Sequence, residues 1–337
     1  MDKMEHHIDL TSAELAALWT SYMTESASNP ILKYFSKIVV DEEIKQVINF
    51  TLQKSTEHLS TLKEIFNKEN YPIPIGFSDE DVNFDAPRLY SDTYMLYFIR
   101  NLGKAGIAAD GMAFSTSARK DIRDLYFHYL IEAAKVEDAA KEVMLSKGLF
   151  IRPPYIATPD HPDIVKKQNF LRGWFGDRRT LTADEIAHIF MNHTNNANGK
   201  ALLIGFAQTA GSEELRNHFV RGIDLAKSIM ESLSQLLEES TLPSPMTWDT
   251  EVTDSTISPF SDKLMLFHVM SLNGIGIGNI GGSLALSLRR DIAAKYFKMI
   301  KDIGLYAEDG VNIMIKNGWF ERPPRAIDRE FLSKKKT

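Results

Sequence analysis

The chain carries one seven-residue phrase twice, GLFIRPP at 148–154 and GWFERPP at 318–324, and their offset, 318 minus 148, is 170 residues. Other anchors repeat in the same order. LTSAEL (10–15) answers LTADEI (181–186) and DEEI (41–44) answers SEEL (212–215), both at 171. YSDTYMLYF (90–98) answers FSDKLMLFH (260–268) and ARKDI (118–122) answers LRRDI (288–292), both at 170. Collinear anchors from end to end mean that a whole structural unit is duplicated. One residue is lost between YPIP (71–74) and LPSP (242–245). The first unit is placed at 9–155 and the second at 180–326, with a Pro- and Gly-punctuated connector at 156–179 and a basic tail at 327–337.

Each unit reads as four helices, and no alternating strand pattern competes. Thr11 with Glu14, and Thr182 with Glu185, form capping boxes that open the first helix of each unit. Leu15, Leu18, Trp19, Tyr22 and Met23 follow at helical spacing, and Pro30 is expected to kink or break that helix. Asp41 and Ser212 cap the second helices, Ser91 and Ser261 the third, and Ser117 and Ser287 are the predicted caps of the fourth. A polar loop of about twenty residues joins the second and third helices. A long link at that place is what a ferritin-like bundle needs, because there the connection travels the length of the bundle. The fold class expected is therefore all-α: two tandem ferritin-like four-helix bundles. Gly148 and Gly318 take the left-handed position that closes a helix, while Pro153, Pro154, Pro323 and Pro324 keep the exit extended. The repeated phrase is thus read as a helix-stop motif.

The composition excludes several functions. Net charge is −6, so the Lys-rich end is a solvated tail instead of a nucleic-acid clamp, and no nucleic-acid partner is expected. There is no cysteine, which removes disulfides, thiolate metal sites and cysteine nucleophiles. The N-terminus MDKMEHHIDL has no apolar signal core, and no run of about 18 apolar residues suggests a membrane span. A cytoplasmic or spore-associated location is the expectation.

Three motifs invite a chemical reading. GIGNIG (276–281) matches G-x-G-x-x-G, but it follows no strand and lies inside a helix. Gly103, Gly106 and Gly111, and Gly274, Gly278 and Gly282, are instead expected to let another helix backbone approach. A dimetal bundle needs Glu-x-x-His pairs facing inward. The single instance, Glu185 to His188, falls in a first turn where Glu185 already caps. One ligand per helix is the weaker pattern: the inward stripes of the first unit bring Glu25, His58, Asp110 and Glu132 to the core line, where a divalent metal is one alternative. The other is salt-bridging to Arg100, Lys104, Lys135 or a tyrosine. The second unit has Asn196, Ile229, Ile280 and Asp302 there, so its pocket is expected to be filled. Trp248, in the second long loop, either docks on the neighbouring unit or meets another protein.

The segments GDRRTLTADEI (176–186), PSPMTWDTEVTDSTISPFSDKLML (243–266), RRDI (289–292) and GWFERPP resemble an uncharacterised two-repeat family of spore-forming bacteria. That family is related to the coat protein F-like, ferritin-like spore coat proteins. The resemblance covers nearly the whole chain and implies a ferritin-like fold and an association with sporulation. It supplies no catalytic residues. The expected role is a non-enzymatic structural or interaction protein, with other proteins (possibly coat components) or itself as partner. Cofactors are not expected. A degenerate metal-binding bundle or a helical small-molecule binder are the alternatives.

Overall fold

The computed structural model describes residues 8–174 and 178–334. The first residues of the N-terminal segment and the last three of the basic tail lie outside them, as does the start of GDRR. Among the described residues there are nine α-helices and no strand, in two similar halves. The first half holds α1 (Ser12–Ile38), α2 (Glu42–Lys68), α3 (Asp92–Thr116) and α4 (Lys120–Ser146). The second holds α5 (Ala183–Thr209), α6 (Glu213–Glu238), α7 (Asp262–Leu286) and α8 (Arg290–Lys316), and the short α9 (Arg329–Lys334) lies in the tail. The connector contributes one short 3-10 turn, Gln168–Leu171.

Local chemistry explains the ends. Thr11 and Thr182 each accept a hydrogen bond from the backbone of the following Glu, whose carboxylate reaches back to the threonine N–H. The buried carboxylate of Glu14 also accepts from the N–H groups of Ala118 (2.9 Å) and Arg119 (2.7 Å), and Glu185 accepts from Arg289 N–H (3.1 Å). One glutamate therefore closes two helix starts. This corrects the prediction for Ser117 and Ser287: they end α3 and α7, and their hydroxyls donate back to Ala113 and Ser283. The fourth helix starts three residues later, at positions that a borrowed glutamate satisfies. Gly148 and Gly318 have φ of 68° and 70°, and Leu149 and Trp319 donate to Met144 and Met314 carbonyls at 2.8 Å. This six-to-one bond closes α4 and α8.

Two other expectations need correction. Pro30 lies inside α1 without ending it, because Ala27, Ile31, Leu32, Tyr34 and Phe35 around it are all buried in the core and hold the helix in place. Close helix approach holds only for Gly103 and Gly106: a Cβ there would sit 2.7 Å from Glu137 N and 2.8 Å from Ala133 Cβ in α4. Nothing lies within 4 Å of such an atom at Gly111, Gly274, Gly278 or Gly282. By length and composition α7 is apolar enough to cross a membrane, but its first half is buried in the core through Leu264, Met265, Leu266, His268 and Val269.

The long loops join the halves through a reciprocal seam. Asn83 N–H donates to Pro259 O at 2.8 Å, and Thr253 N–H donates to Leu89 O at 3.0 Å. Ser91 N–H donates to Glu251 O, and Ser261 N–H to Asp81 O. Each pair becomes the other when 170 is added to one partner and subtracted from the other, the signature of a two-fold contact. Isolated bridges Val82–Phe260 and Tyr90–Val252 obey the same rule. Phe98 and His268, equivalent positions, stack on each other at 5.1 Å. Trp248 is buried against Tyr97 of the first half, 4.0 Å between ring centres, which settles its docking on the neighbouring unit. One hydrophobic core runs through the seam and includes Phe35, Phe98, Phe206 and Phe260.

Candidate functional site

Four helices place charged groups in the interior of the first half. Glu25 comes from α1, Lys54 and His58 from α2, Asp110 from α3, and Tyr129 and Glu132 from α4. His58 is the centre. Its Nδ1 lies 2.8 Å from Glu25 Oε1 and its Nε2 2.7 Å from Glu132 Oε2. The other oxygen of Glu132 accepts from Lys54 Nζ at 2.9 Å and lies 3.2 Å from His128 Nε2. Tyr129 stacks on the imidazole at 3.7 Å, and its hydroxyl donates to the His58 carbonyl.

A carboxylate at each ring nitrogen favours the form of His58 that carries both N–H groups. Burial alone would depress its pKa; the bonds and charges of Glu25 and Glu132 outweigh that and raise it. Burial likewise works against Glu132, yet Lys54 and His58 hold its carboxyl below the usual range. Bonding to Glu132 and Glu57 raises Lys54. Glu25 and Glu132 face His58 and Lys54, and Lys54 is shared with the exposed Glu57. Asp110 adds an uncompensated charge, and burial with the nearby Glu25 pushes it up to about 7.

The structure therefore brings Glu25, His58 and Glu132 into direct contact and leaves Asp110 beside them. Of the predicted partners, Arg100 pairs instead with Glu137 and Lys104 with Asn195, while a tyrosine, Tyr129, does meet His58. Sequence reasoning missed Lys54 and did not single out Tyr129. Lys54 lies one turn before His58, and Tyr129 three residues before Glu132, so same-face spacing was the available signal.

As arranged, these groups pair with one another. The carboxylates lie on opposite sides of the ring, and imidazolium and Lys54 already supply the positive charge a metal would bring. Among the described residues no three His, Asp or Glu side chains are grouped to hold a metal ion. Chemically the arrangement holds protons, and it can pass one between Glu25 and Glu132 through the ring.

The second half has lost this network. Ile229 and Ile280 replace His58 and Asp110 and are buried with Met299, which stands where Tyr129 does, in a local apolar cluster. Asn196 donates to its own helix at Asn192 O, and Asp302 pairs with Lys298 outside. The helix-stop residues Gly148, Pro153, Pro154, Gly318, Pro323 and Pro324 lie at the ends of α4 and α8, away from this cluster.

No curated protein matches the chain. A solved structure described as a "putative spore coat protein" from Bacillus halodurans is 16% identical, over 44% of this chain and 98% of that one, with a TM-score of 0.41. The family described as "Protein of unknown function (DUF3231)" matches twice, over residues 1–161 and 169–332, once for each half, and the chain belongs to that family.

Proposed function

We propose that each half is a ferritin-like four-helix bundle and that the chain is a non-enzymatic structural or interaction protein, associated with sporulation or the spore coat. The reciprocal seam carries this reading. A two-fold contact made within one chain produces a rigid body that presents each outward face twice. Phe127 and Phe297, at equivalent positions of α4 and α8, are both exposed on those faces, at 52% and 68%. Outward, they suit contacts with other proteins or a second copy. The link to sporulation rests on the sequence segments quoted above. No nucleic acid, membrane span, catalytic residue or cofactor forms part of this reading.

A fluorescent fusion followed through sporulation tests it. Signal concentrating on the developing spore supports the role, whereas uniform cytoplasmic signal throughout removes it. The convergence of Glu25, His58 and Glu132 favours a second reading, a divalent metal in the first half. It would require His58 to give up a proton and Lys54 to move. Stoichiometric iron, manganese or zinc in protein purified without chelator would support it over the ion-pair network.

A further inference from the structure

Asparagine is followed by glycine three times, at Asn198–Gly199, Asn273–Gly274 and Asn317–Gly318. The pair carries its own chemistry. The side-chain carbonyl carbon of asparagine is an electrophile close to the next backbone nitrogen, and glycine has no side chain to hinder ring closure between them. The fold decides which of the three can react. Asn198 lies in the interior of α5, is 6% exposed, and its carbonyl accepts from the Tyr94 hydroxyl at 3.1 Å. Asn273 lies midway along α7 with its amide nitrogen buried. At both, helical turns continue on either side and the glycine N–H is committed to the carbonyl four residues back. Ring closure there requires the helix to open.

Asn317 stands differently. It is the exposed residue that ends α8, with φ −87° and ψ 0°. Gly318 follows at φ 70°, and nothing lies within 4 Å of where its Cβ would be. The Gly318 N–H is held only within the terminal turn, by Ile315 O at 3.0 Å, and Asn317 Nδ2 donates to Ile313 O at 2.9 Å. Terminal turns open before interior ones. The equivalent residue of the first half is Lys147, which ends α4 in the same conformation, φ −89° and ψ 0°, and is also followed by glycine. Closing the helix therefore does not call for an asparagine. The segment beyond Asn317 reaches the other half: Glu321 accepts the N–H groups of Ile75 at 2.9 Å and Gly76 at 3.0 Å.

We propose that Asn317 is a site of spontaneous modification, converting to aspartate and isoaspartate, and that the conversion slackens the strap running from α8 to the first half. The Gly318 nitrogen gives up its proton and bonds to Asn317 Cγ, the Cγ–Nδ2 bond breaks, and ammonia leaves with that proton. Water then opens the cyclic imide at either carbonyl. The reaction needs no partner beyond water. Its product loses the Nδ2 donor to Ile313 O and sets a carboxylate beside the last carbonyls of α8, where the helix end is already negative. In isoaspartate the main chain runs through the side-chain carbon and is one methylene longer. The bond from Trp319 N–H to Met314 O, 2.8 Å in the unmodified chain, then no longer fits. The site is separate from the His58 network and does not depend on the proposed role.

Peptide mass spectrometry on the full chain, aged at mildly alkaline pH, tests the proposal. Asn317 is expected to convert at least tenfold faster than Asn198 or Asn273, with isoaspartate among the products. The rate is expected to rise with pH, because the attacking nitrogen must lose its proton. Asn317→Lys installs the residue the first half carries at this place and is expected to stop the conversion with the melting temperature unchanged. Hydrogen exchange at Ile75 and Gly76 is expected to be faster in aged than in fresh protein, and equal in aged and fresh Asn317→Lys. Asn317 remaining intact while a short peptide of the same sequence converts overturns the proposal. So does equal conversion at all three asparagines, or exchange at Ile75 and Gly76 that ageing leaves unchanged.

Discussion

The interiors of the two halves show how one helical frame tolerates opposite solutions. In the first half four helices close around a network of paired charges, Glu25, His58, Glu132 and Lys54. In the second, Ile229, Ile280 and Met299 fill the same level with hydrocarbon. The caps, helix lengths and stop motifs are nearly identical, so they cannot depend on what the interior contains. A buried ion pair is on average no more stabilising than apolar residues of similar volume, but removing one member is costly. The first interior is thus fragile to single changes in a way the second is not.

The largest effect follows from that asymmetry. Glu132→Leu leaves His58 and Lys54 without their shared acceptor and is expected to cost about 3–5 kcal/mol in urea denaturation. Installing the second half's residues together (Glu25→Asn, Lys54→Leu, His58→Ile, Asp110→Ile, Tyr129→Met, Glu132→Asp) is expected to be neutral or to stabilise by about 1–4 kcal/mol. A combined variant as unstable as the single one would mean that the two frames are less alike than their helices suggest.

A comparable cost is expected at the seam. Phe260 sits 5.5 Å from Tyr34 and 6.1 Å from Phe206, ring centre to ring centre. Phe260→Ala should cost about 3–5 kcal/mol and separate one unfolding transition into two by calorimetry. Its equivalent, Tyr90, lies over Gly205 and donates to Leu202 O at 2.8 Å. Gly205 is the counterpart of Tyr34, so the hydroxyl of Tyr90 uses space that Tyr34 fills on the other side. Tyr90→Phe removes that hydrogen bond alone, at about 1 kcal/mol.

The halves should also respond to pH in opposite senses. His58 and Asp110 hold protons more tightly folded than unfolded, with Asp110 raised to about 7. Their contribution is complete below the unfolded pKa, about 6.5 for His58 and about 4 for Asp110, and is lost as pH rises through the folded value. His193, His218 and His268 are depressed to about 4 by burial, so their contribution is present above about 6.5 and falls as pH drops toward 4. Each group changes the slope by at most about 1.4 kcal/mol per pH unit. Melting temperature measured from pH 4.5 to 8 should therefore lose its fall between pH 4.5 and 7 in part in Asp110→Asn, and its acid-side loss in part in His218→Val. An unchanged profile in either variant would remove that group from the pH response.

Much of this is legible in the sequence. The caps, the stop glycines and the four convergent residues Glu25, His58, Asp110 and Glu132 follow from helical period and from duplication. What escaped depended on contacts between distant elements. Glu14 and Glu185 cap helices over a hundred residues away, which displaced the predicted caps Ser117 and Ser287. Pro30 looked like a breaker because propensity is local, whereas the burial around it is tertiary. Beyond Trp248, the seam escaped because its reciprocal backbone pairs lie in loops without periodicity.

Among the glycines one residue type stands in two environments, and the smallest effect is expected at those of α7. In α3, a Cβ at Gly103 would come within 2.7 Å of the Glu137 backbone N, which cannot retreat without moving α4. Gly103→Ala is expected to destabilise by about 1–3 kcal/mol. In α7, nothing lies within 4 Å of a Cβ at Gly276 or Gly278, and neither has a positive φ. There alanine restricts the unfolded chain and meets no obstacle, so Gly276→Ala and Gly278→Ala should each stabilise by about 0.5–1 kcal/mol. Denaturant midpoints of the three variants decide the matter. A loss at Gly276 or Gly278 as large as that at Gly103 would mean that α7 packs against something in solution, most simply a second copy of the chain.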